Sequence, residues 1–160
     1  MILVEEGRQV ALVSDAGTPT ISDPGVLLVD RVRNELPDVI VIALPGASAL
    51  TTALSSSGVS SATFTFYGFL PHKKGRETLF TTIAESKHTS VFYESVHRIE
   101  KTLESLAQIL SPERKIVIAR ELTKIHEEVI RGYASEVQEY FKLHKDHIRG
   151  EFVVIVEGRK

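Results

Sequence analysis

The chain of 160 residues contains no cysteine. That excludes a disulfide framework, a thiolate nucleophile and a cysteine-based zinc site, and it fits a reducing compartment; no metal site of any kind is expected. Positive charge is not in excess either. With a formal net charge of −2 and a pI near 6.3, the surface as a whole does not attract polyanions, so any nucleic-acid contact has to come from a local basic patch. Long apolar runs are missing: none approaches the roughly 20 residues that cross a bilayer. The amino end, Met1-Ile2-Leu3-Val4-Glu5-Glu6, is too short and too acidic for a signal peptide. The chain also lacks internal repeats, low-complexity segments, the Gly-Lys-[Ser/Thr] of a Walker loop and a GxGxxG turn, which disfavours folds that cradle phosphates. A soluble cytoplasmic protein with no membrane association is expected. Its 42% hydrophobic content suffices for a core in one or two small domains.

Apolar runs bounded by turn residues recur at Val10–Val13, Val39–Leu44, Phe64–Phe69, Val91–Tyr93, Ile116–Ala119 and Phe152–Val156. They read as strands, several buried on both faces because they lack polar alternation. Helical spacing connects them: Val26–Leu36, a short Ser48–Leu54 stopping before Gly58, and Arg98–Leu110 with Ile99, Leu103, Leu106 and Leu110 on one face. Ser135 with Gln138 predicts a capping box for a helix reaching Leu143. Alternating strands and helices define an α/β class. The polar, basic stretch 71–75 reads as a linker between an amino-terminal α/β domain, 1–70, and a carboxy-terminal one, 76–160. The first strand already leads into a loop, leaving too few strands before the linker to close a sheet. The first domain is therefore expected to be incomplete at its amino end, with an open strand edge.

Four strand-to-helix junctions carry compact polar motifs, and in open α/β sheets such carboxyl ends of strands are where ligands settle. The richest is Ser14-Asp15-Ala16-Gly17-Thr18-Pro19-Thr20-Ile21-Ser22-Asp23-Pro24-Gly25. Its glycines let backbone approach a ligand, its prolines stiffen it, and Asp23-Pro24 reads as an N-cap followed by a first-turn proline. The second is Leu44-Pro45-Gly46-Ala47-Ser48-Ala49, by itself an ordinary turn that gains meaning as a neighbour of the first. The third is Phe92-Tyr93-Glu94-Ser95-Val96-His97-Arg98, and the fourth Ala119-Arg120-Glu121-Leu122-Thr123-Lys124, followed by Glu127, Glu128 and Arg131-Gly132. Read alone the fourth is a solvated charge cluster; read with the others it is half of a polar site.

In this order the four motifs, with Phe66-Tyr67-Gly68-Phe69-Leu70-Pro71 and the closing Gly150-Glu151-Phe152-Val153, resemble the tetrapyrrole methylase superfamily. More narrowly, they resemble its ribosomal RNA branch, the small-subunit methyltransferase I family. The resemblance covers essentially the whole chain. It implies two α/β domains with S-adenosylmethionine in the cleft between them, and sequence preceding Met1. It places Gly17, Thr18, Pro19, Ile21, Pro45, Gly46, Ser48 and Ala49 against the cofactor from the first domain, and Tyr93, Arg120, Glu121 and Leu122 from the second. The implied reaction is methyl transfer to the ribose 2′-hydroxyl of a cytidine in the decoding region of small-subunit (16S) ribosomal RNA. Arg120 or Lys124 would stabilise the alkoxide and Glu121 would accept the proton, with His97 and His126 as alternatives that are as readily structural. RNA, or the 30S subunit, would be held by Lys73, Lys74, Arg76 and Arg98, with Lys101 and Lys124 nearby. Tyr67, Phe69 and Tyr93 are candidates for base stacking, although core packing explains Tyr67 and Phe69 as well. The family resemblance further implies a homodimer. Two alternatives stand beside this reading: a corrin or other tetrapyrrole methylase, which the Ala16-Gly17-Thr18-Pro19 loop and the basic patch disfavour, and an inactive shortened domain that binds only RNA or a partner.

Overall fold

A computed structural model describes residues 1–159. They form two compact units, Met1–Ser48 and the remainder from Ala49. The division falls at 48/49 and not at 71–75, because the strand preceding that stretch hydrogen-bonds to the one following it and so belongs to the second unit.

The first unit holds α1 (Ile2–Glu5) and α2 (Val26–Glu35) and no strand. The runs at 10–13 and 39–44, expected as strands, have no regular secondary structure here, since neither has a ladder partner among the described residues. Val13, Ile40, Ile42 and Leu44 are correspondingly exposed. Helix α2 starts later than Asp23-Pro24 suggests. Its N-cap is Gly25, at φ 127°, where Leu12 packs so closely that a Cβ would meet its side chain at 2.7 Å.

The second unit is built on a five-stranded sheet of order β1-β2-β5-β3-β4, from β1 (Phe64–Phe69), β2 (Thr89–Ser95), β3 (Lys115–Arg120), β4 (Glu128–Tyr133) and β5 (Glu151–Val156). Only β1 and β2 run parallel; β2–β5, β5–β3 and β3–β4 are antiparallel. The unalternating apolar runs are the central strands, as their composition requires: Ile116–Ala119 and Phe152–Val156 are buried on both faces. Strand β4 has no clear signal in the sequence. Edge strands are half exposed, and Glu128-Val129-Ile130-Arg131-Gly132-Tyr133 carries too few apolar residues to stand out.

One face of the sheet is covered by α4 (Arg76–Glu85), α5 (Ile99–Ile109) and α6 (Ala134–Leu143), around Phe80, Phe92, Leu103, Leu106, Phe141 and Phe152. The expected apolar stripe of α5 is buried in full, Ile99, Leu103, Leu106 and Leu110 together. The helix expected at Ser48–Leu54 is α3 (Ala49–Ser57). It ends before Gly58 and lies on the opposite face, where Ala53 and Leu54 pack against Val91, Val117, Ala119, Val153 and Ile155. The cap of α6 differs from the expected Ser135–Gln138 box. Ala134 is its first residue, so Ser135 already lies inside the first turn, and Glu136 accepts the backbone N–H of Tyr133 at 2.9 Å. Arg114, almost fully buried, secures the end of α4: its guanidinium donates to the carbonyls of Ile83 and Ala84, and to that of Glu157 beyond β5. Among the described residues no helix is long and apolar enough to cross a membrane.

Candidate active site

In the first unit the two glycine-bearing loops meet. The hydroxyl of Thr18 donates to the carbonyl of Ala47 at 3.1 Å, across 29 residues of sequence. Gly17 adopts φ 77°, and a Cβ there would stand 3.7 Å from the same carbonyl. The loop can therefore turn against 45–48 only with a residue tolerant of the left-handed region. Gly17, Pro45, Gly46 and Ala47 are exposed; the Ala47 and Gly17 carbonyls are already engaged by side-chain hydroxyls. Thr18, Pro19 and Ser48 are half-buried and Ile21 is exposed. Ser14 braces the turn by donating to the carbonyl of Gly17 at 3.2 Å.

In the second unit the predicted residues divide between the two faces of the sheet: Tyr93 and Leu122 lie on the α3 face, whereas Arg120, next to Ala119 on β3, turns to the α6 face. The Tyr93 ring lies 5.0 Å from that of Phe66 and 5.3 Å from that of Phe69, centroid to centroid. Tyr93 and Leu122 pack against one apolar cluster, which also includes Ala53 and Val153. Ala49, at the start of α3, is exposed. Arg120 ends β3, is only 7% exposed, and donates from Nε to Glu128 Oε2 at 2.6 Å across the β3–β4 ladder. Glu121 follows at φ 50°, its carboxylate accepting from the Lys124 ammonium at 2.9 Å. Glu127 closes the loop by accepting the backbone N–H of Thr123 at 2.5 Å.

Backbone strain marks the same two loops. Among the described residues the only non-glycine residues at positive φ are Thr20 and Ser22 in the first loop, and Glu121 and Thr123 in the fourth. Each costs on the order of 1 kcal/mol or more, and such residues persist where a functional geometry demands them.

The basic patch separates into two kinds of residue. Lys73 and Lys74 lie exposed on the β1–α4 connection, and Lys101 is exposed on α5. Arg76 and Arg98 are structural. Both reach the fully buried Glu94 at 2.7 Å, one on each carboxylate oxygen. Arg76 also donates to Thr102 at 2.6 Å and lies 5.0 Å over the Phe80 ring, while Arg98 donates to the carbonyl of Leu70 at 2.8 Å. Their place as phosphate contacts is corrected accordingly: a buried carboxylate must be paired, and these two guanidiniums do it. Tyr67 packs against the larger core, in keeping with the packing role open to it from the sequence, whereas Phe69 is 43% exposed.

Behind Arg120 lies a network that the sequence barely signals. Glu128 accepts from Arg120, from the Tyr140 hydroxyl on α6, and from Nδ1 of His147, which is 3.0 Å from Oε2. Burial pushes the Glu128 carboxyl up, but the hydrogen bonds from Tyr140, Arg120 and His147 outweigh it and hold the group below the usual carboxylate range. Burial and the adjacent Glu128 carboxylate push the Tyr140 phenol up to about 12. The only sequence signal is Glu128 itself; nothing in the spacing of Tyr140 and His147 announces a shared partner.

Comparison with known proteins places the chain in a family. The family model of Tetrapyrrole (Corrin/Porphyrin) Methylases matches residues 1–138, and the chain belongs to that family. Within it, the chain is 46% identical to a Haemophilus influenzae protein named Ribosomal RNA small subunit methyltransferase I, over 99% of this chain and 56% of that protein. It is 41% identical to the Thermotoga maritima protein of the same name, over 99% of this chain and 69% of that one. The Bacillus subtilis counterpart is 45% identical, over 97% and 52%. The chain thus spans little more than half the length of most of these relatives. Among solved structures, the methyltransferase CobJ superposes with a TM-score of 0.68 at 22% identity, covering 99% of this chain and 70% of that one. A Thermus thermophilus uroporphyrin-III C-methyl transferase complexed with S-adenyl homocysteine gives 0.57 at 19%, covering 88% and 62%. These two likenesses concern the fold. The corrin-methylase alternative gains nothing from them over the ribosomal RNA reading.

Proposed function

We propose that the chain belongs to an S-adenosylmethionine-dependent methyltransferase that methylates the ribose 2′-hydroxyl of a cytidine in small-subunit ribosomal RNA. The observation that carries the reading is that, among the described residues, non-glycine positive φ occurs only in the two loops whose motifs the family resemblance assigns to the cofactor. The names of the relatives support the RNA substrate. Small ribosomal subunits as partner, a homodimer as assembly and the bacterial cytoplasm as location are parts of the same proposal.

The residues present fit a nucleoside cofactor with a charged amino-acid tail. Taken by itself, the first unit offers exposed backbone at Gly17, Pro45 and Gly46 and apolar surface at Ile21; taken by itself, the second unit offers apolar surface at Tyr93 and Leu122. When bound, S-adenosylmethionine supplies a sulfonium-activated methyl group, so this chain has to align the ribose oxygen and remove its proton. Glu121 is the proposed proton acceptor. Its ion pair with the largely exposed Lys124 places a cation where alkoxide character develops. Arg120, nearly buried and engaged with Glu128, acts as a positioning residue that fixes the strand end carrying Glu121. Lys73 and Lys74 remain the proposed RNA contacts, joined by Lys101.

The test is incubation with methyl-labelled S-adenosylmethionine and unmodified small ribosomal subunits, followed by nucleoside analysis. The expected product is 2′-O-methylcytidine, lost in Glu121→Ala. Label on a base, or transfer undiminished in Glu121→Ala, would overturn the assignment.

A further inference from the structure

The turn after α6 reads His144-Lys145-Asp146-His147 and includes a short 3-10 segment, Lys145–His147. The ligand atoms of His144, Asp146 and His147 all lie within 4.8 Å of one another. Proximity of exposed side chains alone would mean little, but His147 is held in the way that metal-ligating histidines are. Its Nδ1 faces the Glu128 carboxylate at 3.0 Å, with the Tyr140 hydroxyl equally near at 3.0 Å and itself donating to Glu128, which the Arg120 guanidinium also holds. An Nδ1–H donated to a carboxylate fixes the tautomer and leaves the Nε2 lone pair as the ligand. That nitrogen lies 3.8 Å from Asp146 Oδ2. The His144 ring is set beside it, 4.4 Å from Tyr140 and 5.2 Å from His147, centroid to centroid.

We propose that His144, Asp146 and Nε2 of His147 form a binding site for a divalent transition-metal ion of the zinc class, with Glu128 as the carboxylate supporting His147. Two imidazoles and one carboxylate suit Zn²⁺, with the remaining position open to water. Donors of a tetrahedral Zn²⁺ at about 2.0–2.1 Å from the metal stand roughly 3.4 Å apart. The present spacing closes to that by rotation of the His144 and Asp146 side chains, both exposed. Occupancy ties the turn to β4 through Glu128, and through the same carboxylate to Arg120 at the edge of the candidate active site. The site is independent of the methyltransferase reading: it stands or falls on metal binding alone.

The test is calorimetric titration of the untagged full chain with ZnCl₂ after dialysis against chelator, alongside His144→Ala, Asp146→Ala, Glu128→Gln and, as a control at a distant imidazole, His72→Ala. The expected result is one ion per chain, at least tenfold weaker binding in His144→Ala and in Asp146→Ala, and about tenfold weaker binding in Glu128→Gln. Binding in His72→Ala stays unchanged. Because His144 and Asp146 are exposed, their variants should melt with the parent when chelator is present, which separates ligand loss from misfolding. No binding below about 1 mM, or binding indifferent to both His144→Ala and Asp146→Ala, would overturn the site.

Discussion

Glu121 and Gly150 occupy adjoining space so closely that a Cβ on Gly150 would lie 2.0 Å from Oε1 of Glu121. Gly150 also adopts φ 75°, so it serves twice: it turns the chain into β5, and it leaves room for the carboxylate proposed as proton acceptor. Gly150→Ala should lower stability by about 1–2 kcal/mol and displace Glu121. Glu121→Ala relieves the clash but not the backbone strain. The double variant, measured by urea unfolding, should therefore be more stable than the sum of the single effects by about 1 kcal/mol. Simple additivity would mean that the two residues do not compete for the space.

Glu94 makes the second prediction. Its carboxylate has no exposure and holds Arg76 and Arg98 from two directions. Glu94→Ala leaves two guanidiniums facing each other without a counter-charge, and it should destabilise the fold by about 3–5 kcal/mol. Lys74→Glu, at an exposed position, should shift stability by no more than about 0.5 kcal/mol. Equal effects in denaturant titration would contradict the division of the basic patch into structural and surface residues.

The surface residues should appear in RNA affinity. Changing Lys73 and Lys74 together to glutamate should weaken RNA binding. It should also make the dependence of log K on log salt shallower by about 0.7–0.9 for each phosphate no longer neutralised. S-adenosylhomocysteine affinity should stay unchanged. An unaltered salt slope would remove the two lysines from the RNA surface.

Acid and alkali should each loosen the Glu128–Tyr140 pair, for opposite reasons. The Glu128 carboxyl sits below its ordinary value of 4.5 in the folded protein, so the unfolded chain binds the proton more readily. Its stabilisation is complete above 4.5 and disappears as pH falls through the lowered value. The Tyr140 phenol is raised from 10.0 to about 12. Its contribution is complete below 10.0 and disappears as pH climbs through about 12. Melting temperatures of Glu128→Gln should fall less steeply below pH 4.5 than those of the parent. In absorbance titration, Tyr140→Phe should remove a phenolate phase centred near 12. Profiles unchanged by these substitutions would contradict the hydrogen-bonded arrangement.

How far the fold is legible in the sequence depends on whether the signal is local. The buried strands Ile116–Ala119 and Phe152–Val156 and the stripe of α5 are legible, because burial on both faces or on one stripe leaves a compositional trace. The runs at 10–13 and 39–44 have the composition of strands, but a strand also requires a partner, and none pairs with them among the described residues. Strand β4, with Arg131 and Gly132 in its middle, leaves almost no trace. At the site, the loops are visible through their glycines and prolines, whereas the tasks of their neighbours are not. Arg76 and Arg98 look like any basic surface residues until β2 brings Glu94 between them. Likewise, the bond between Glu128 and His147 spans 19 residues and exists only because α6 folds back on β4.

The most direct test of the central claim is calorimetric titration of the 160-residue chain with S-adenosylhomocysteine, paired with Thr18→Arg, which pushes a long side chain into the Thr18–Ala47 junction. Micromolar binding, abolished in Thr18→Arg while circular dichroism of the second unit is retained, is the predicted result. A folded chain that gives no heat with the ligand, or a Thr18→Arg variant that binds as the parent does, would contradict the assignment of these loops to the cofactor.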